Sequence, residues 1–77
     1  MFIVSAKDLM PVNGGVFYAT NRLVSKFNLN DVNNLYVKNN TEMHLFKRSN
    51  IKKEEDNIVV TFVDNNKRKI IFVVPKS

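Results

Sequence analysis

The sequence predicts an α+β fold: one amphipathic helix packed on a mostly antiparallel, hairpin-rich sheet or small, partly closed barrel, in the order β-α-β-β-β-β. Three observations carry this expectation. The second half of the chain alternates with period two between asparagine-rich turns, one stretch near 15–28 has helical spacing, and the last two strands are apolar on both faces. Residues 1–77 are expected to form a single domain, because a chain this short buries only about 60% of the surface its unfolded form exposes. It has no cysteine, so neither a disulfide nor a thiolate-bound metal supports the core.

Residues 2–5, FIVS, read as a short buried strand by their β-branched content. Ser5 and Asp8 have the spacing of a helix cap, but Pro11 permits at most one helical turn after them. Residues 5–10 are therefore expected to leave the strand as a turn or short helix. After Gly14 and Gly15, the side chains of Val16, Ala19, Leu23 and Phe27 recur at helical spacing, widened by Phe17 and Val24. This predicts a helix over about 15–28, with Asn13 as its cap and Asn28 or Asn30 in the left-handed position at its end. The first turn reads alternatively as strand, with Thr20 as the cap.

Beyond Val32, LYVK at 35–38 and TEMHLFK at 41–47 flank Asn39 and Asn40, a pair suited to a two-residue type I′ hairpin. The second of these strands is expected to run to about Lys52, turn through EEDN and return as NIVVTFVD. Asn65 and Asn66 repeat the turn, and KIIFVV closes the domain before Pro75. A two-residue loop there pairs Val60 with Ile71; a three-residue loop puts Ile58, Val60, Phe62, Ile70, Phe72 and Val74 on one face against Val59, Thr61, Val63, Lys69, Ile71 and Val73 on the other. Either way both faces are apolar, as in strands inside a covered sheet. One short helix covers only one face, so the chain is expected either to close its sheet or to self-associate as a homo-oligomer.

The formal net charge is +5, from nine lysines and three arginines against seven acids. KRSNIKK at 47–53 holds four cations and NNKRK at 65–69 holds three, with EED at 54–56 between them. Such basic runs suit phosphate or an acidic partner. Lys47, Arg48, Lys52, Lys53, Lys67, Arg68 and Lys69 are the candidate contacts. Lys67 and Lys69 also serve to keep an apolar hairpin from pairing with its neighbours. A regular strand through 47–52 would alternate Lys47, Ser49 and Ile51 against Arg48, Asn50 and Lys52, which puts charge on both faces.

The residues for catalysis are few. There is no cysteine nucleophile, and the single histidine, His44, has only Glu42 two positions away to orient it. The two glycines lack phosphate-loop spacing, and no cluster of ligand residues points to a metal. The expectation is a non-enzymatic protein without cofactor or small-molecule substrate, acting on nucleic acid or within a nucleic-acid-handling complex. The alternative is an inhibitor or accessory factor of the phage or mobile-element type, binding a protein through its apolar sheet face or an edge strand. The first apolar run has no basic residue before it and is shorter than a signal peptide's, and neither IVV nor IIFVV spans a bilayer, so the expected location is cytoplasmic with no membrane partner.

Overall fold

A computed structural model describes residues 2–28 and 32–76. The chain forms β1 (Phe2–Ser5), a 3-10 turn (Ala6–Asp8), β2 (Leu9–Asn13), β3 (Val16–Ala19), α1 (Asn21–Lys26), β4 (Asn34–Lys38), β5 (Met43–Lys53), β6 (Asn57–Val63) and β7 (Lys69–Pro75). All seven strands join one sheet, in the order β1-β4-β5-β6-β7-β3-β2. It is mixed: β1 pairs with β4 and β3 with β7 in parallel, and the other pairs are antiparallel.

The connection between β1 and β2 dictates the shape. These two strands lie at opposite edges of the sheet, yet only Ala6–Asp8 separates them. Seven strands laid flat would hold their edges about 29 Å apart. Four Cα steps from Ser5 to Leu9 reach at most about 15 Å. The sheet therefore curls into a half-barrel that brings its edges near each other. The turn is stabilised by the Ser5 hydroxyl, which accepts from the Lys7 N–H at 3.3 Å.

The expected order β-α-β-β-β-β omits the β2–β3 ribbon, and the predicted helix over 15–28 is shortened to Asn21–Lys26. Gly14 and Gly15 form the ribbon's turn instead of preceding a helix capped by Asn13, and Gly15 takes φ 76°, as the third position of a type II turn requires. Helical and strand periods coincide here, because Phe17 and Ala19 also share one face of a strand. Pairing decides between them: β3 satisfies the edge of β7 through Val16↔Lys69, Phe17↔Ile70 and Tyr18↔Ile71. Thr20 caps α1, as the strand alternative anticipates, although its side chain makes no capping bond; its backbone N–H donates to the Asp8 carbonyl at 3.1 Å. The helix ends at Phe27 with φ −86°, ψ 128°, so no left-handed residue is used at Asn28, and Asn30 lies outside the described residues.

The hairpins follow the predicted strands with different turns. At β4–β5, Lys38 faces Met43, and the expected type I′ turn at Asn39-Asn40 is replaced. The Asn39 side-chain oxygen accepts from the N–H groups of Thr41 (3.1 Å) and Glu42 (2.8 Å), which holds the loop without any positive φ. The register shifts by two residues relative to the expected one, so every side chain keeps its face. At β6–β7 the three-residue loop prevails, with Val60 opposite Phe72 and Phe62 opposite Ile70.

These registers set the core. Val4, Leu35, Val37, Phe46, Val60, Phe62, Ile70 and Phe72 point into the concave face. Leu23 from α1 and Phe27 just beyond it fill one end of the half-barrel. The Phe27 ring stacks on Phe72 at 4.4 Å between centroids and meets Phe2 and Phe62 edge-on, both at 5.9 Å. One side chain thus ties together β1, β6 and β7. Val59, Val63, Ile71 and Val73 lie half-buried on the convex face. Among the described residues, no helix is long and apolar enough to cross a membrane.

Replacing Phe27 by Ala is expected to destabilise the fold by about 3–5 kcal/mol, since it deletes a buried ring from an aromatic cluster the backbone cannot collapse. Urea unfolding measures it; a loss under about 1 kcal/mol would mean that the ring does not hold the end of the barrel.

Candidate functional site

The β6–β7 turn is built around Asp64. One carboxylate oxygen accepts from the backbone N–H groups of Asn66 (3.0 Å) and Arg68 (2.8 Å); the other accepts from the Arg68 guanidinium, at 2.7 Å from both Nε and Nη2. The Asp64 side chain is only 5% exposed. Burial by itself pushes its pKa up, but the backbone bond from Arg68, the guanidinium and the Asn66 N–H outweigh it and hold the group below its ordinary value. Arg68 also lies over the Phe46 ring, 5.8 Å from its centroid. The arginine therefore packs over a core ring as well as carrying charge.

Lys67 completes the turn with φ 65°, in the left-handed region where a side chain is strained. The positive φ falls here and not on the asparagines, because a three-residue loop places the left-handed residue third. The tip is also short: β7 is paired to β3 from Lys69 and β6 to β5 up to Val63, so only residues 64–68 extend beyond the sheet. It does not form a long arm of the kind that enters a nucleic-acid groove.

A β-bulge between Arg48 and Asn50 redistributes the other basic run. Arg48 lies opposite Phe62 and Ile51 opposite Val60, on the inward side, whereas Lys47 opposite Val63 and Lys52 opposite Val59 point outward. The outward set is therefore Lys47, Asn50 and Lys52 in place of the regular alternation, with charge still on both faces.

Six of the seven candidate cations form two groups, and Arg48 lies apart from both on the inward side. Lys47 and Lys69 flank Val63 on the convex face, and Lys67 stands at the adjoining tip with Arg68 beneath it. Lys52 and Lys53 lie five or more residues along β5, about 17 Å from Lys47. They sit beside the 54–56 acids, where the Lys52 ammonium pairs with Glu54 at 3.6 Å. Lys47, Lys67 and Lys69 are exposed and make no ion pair with a described residue.

The register across the convex face extends this group. One row runs Lys47, Val63, Lys69, Val16 and the next Asn50, Thr61, Ile71, Tyr18, Met10. Neither row contains a carboxylate. Tyr18, 36% exposed, is absent from the residues that the sequence singles out, because the helical reading of 15–28 gives it no outward strand face; the alternation of VFYA is its only signal. The edge strand β2 adds Met10 and Val12, exposed at 54% and 55%. Elsewhere, Glu42, just before β5, bonds the His44 ring at 3.0 Å. No group of three His, Cys, Asp or Glu side chains able to hold a metal occurs among the described residues.

Compared with protein-family models, with curated proteins and with solved structures, the chain matches none.

Two outcomes are expected at the turn. Lys67→Gly should stabilise the fold by about 0.5–1 kcal/mol, because relief of roughly 1–2 kcal/mol of left-handed strain exceeds the extra chain entropy of glycine; denaturant titration would refute this by showing a lower midpoint. Asp64→Asn should cost about 1–3 kcal/mol at neutral pH by leaving the guanidinium without its carboxylate. Since the folded carboxyl titrates below its ordinary value, its contribution is complete above about pH 4 and is lost as pH falls through the lower folded pKa. The Asn variant should lack that part of the acid dependence, so parallel stability-versus-pH curves for the two proteins below pH 4 would remove Asp64 as its source.

Proposed function

We propose that the chain is a small, non-enzymatic binding protein that acts in the cytoplasm on nucleic acid or within a nucleic-acid-handling complex. Lys47, Lys67 and Lys69 are the phosphate contacts of this reading. The observation that carries it is their convergence, exposed and without ion pairs to described residues, at one end of a convex face whose two nearest rows hold no carboxylate. A cation already neutralised gains little from a phosphate, whereas an unpaired exposed lysine releases condensed counterions when it binds one. On the same reasoning Arg68 has a secondary part, because Asp64 already holds its guanidinium, and Lys52 and Lys53 form a separate, weaker contact beside the acids.

A second reading is favoured by Met10 and Val12, which stand exposed on the edge strand β2. An inhibitor or accessory factor of the phage or mobile-element type would use that edge and its apolar side chains to dock a protein partner. Such docking depends weakly on salt, so salt separates the two readings.

Affinity for generic DNA or RNA should fall steeply between about 50 and 200 mM salt. Replacing Lys47, Lys67 and Lys69 together by Ser should flatten the log–log salt slope by about 0.7 per lost contact on single strands and about 0.9 on duplex DNA. Fluorescence anisotropy at several salt concentrations measures both. Absence of any salt-dependent affinity in the native sequence would pass the function to the protein-partner reading.

A further inference from the structure

Resting on the nucleic-acid reading, we infer that the preferred substrate is single-stranded, held on the convex face with Tyr18 stacking against a base while Lys69, Lys47 and Lys67 hold phosphates. Tyr18 lies on β3, one strand across and two residues along from Lys69, a separation of roughly 8 Å. Lys47 lies two strands beyond Lys69, about 10 Å away, with the side chain of Val63 between them. An exposed aromatic ring beside a track of cations, in rows that hold no carboxylate, is what a single strand needs: a flat surface for a base and charges for its backbone.

The curvature argues against a duplex. The cations stand on the outside of a curled sheet, and a duplex is itself a convex cylinder, so the two would meet only along a narrow line. The β6–β7 tip does not compensate, because only residues 64–68 extend beyond the paired strands, the Asp64–Arg68 bonds close that turn on itself, and Arg68 lies over Phe46. A single strand bends over a convex surface and turns its bases toward it. Ile71 and Thr61, next to Tyr18 in its row, continue the surface on which a neighbouring base would lie.

The test compares a labelled oligothymidylate of about 15 nucleotides with a duplex of equal length, at about 50 mM salt, on the full chain. The single strand should bind more tightly. Tyr18→Ala should weaken it by about 5- to 150-fold, the range for loss of one stacked base. Tyr18→Phe, which keeps the ring, should stay within about twofold, and duplex affinity should not change in either variant. Should Tyr18→Ala fail to fold, the chain's own fluorescence decides. It has two tyrosines and no tryptophan, so in Tyr36→Phe the emission comes from Tyr18 and should be quenched at saturation with oligothymidylate. Duplex binding as tight as single-strand binding, an unchanged affinity in Tyr18→Ala, or unquenched emission overturns the single-strand platform while leaving phosphate binding intact. If the native sequence binds neither form, the nucleic-acid reading fails and this inference fails with it.

Discussion

Three residues between the outermost strands of a seven-stranded sheet form the constraint on which the rest of the structure depends. With β1 and β2 joined through Ala6–Asp8, the sheet cannot lie open, and its inner face becomes a concave space that side chains must fill. Phe62, Phe72, Leu35, Ile70, Val4 and Val60 do so from the strands, each almost fully buried. Each such side chain contributes about 1.5–3 kcal/mol relative to exposure, which offsets the ordering of so short a chain.

The same curl explains how so small a helix is retained. Six residues are far fewer than an isolated helix needs to persist in water. Here α1 carries the chain from β3 to β4, across the end of the half-barrel, and is fixed by what it buries there: Leu23 on its inner side and Phe27 immediately after it. The helix owes its stability to the barrel, and the barrel's end is filled by the helix.

Much of this architecture was legible in the sequence where the pattern admitted one reading. The strands after residue 34 follow from period-two alternation, and the inward set Val60, Phe62, Ile70 and Phe72 is one of the two registers that the last hairpin allowed. The choice between them lay in a carboxylate: Asp64 gathers the turn's N–H groups and so selects a loop of three. At residues 16–19 the sequence leaves helix and strand both open because Phe17 and Ala19 satisfy both periods, and the deciding partner, β7, lies more than fifty positions away in the chain. The bulge at Ser49 was hidden for a related reason. Nothing in KRSNIKK marks an extra residue; it is defined by the partner strand, and it moved Asn50 and Lys52 to the face of Lys47. Of the candidate basic residues, the sequence showed the two runs but not that Lys47 of the first would join Lys67 and Lys69 of the second, since their meeting depends on the β5–β6–β7 register.

The parallel pairing of β3 with β7 bears on how the chain reaches its fold during synthesis. The meander β4–β5–β6–β7 is made of neighbours in sequence and can pair as it emerges. Val16, Phe17 and Tyr18 are made more than fifty residues before their partners Lys69, Ile70 and Ile71. The β2–β3 ribbon must wait for those residues with apolar side chains unpaired, and closing so long a loop places its entropic cost late in assembly. Pro11 and the bulge in β2 then have a role before folding as well as after it: they interrupt a segment that would otherwise be free to pair with another nascent chain.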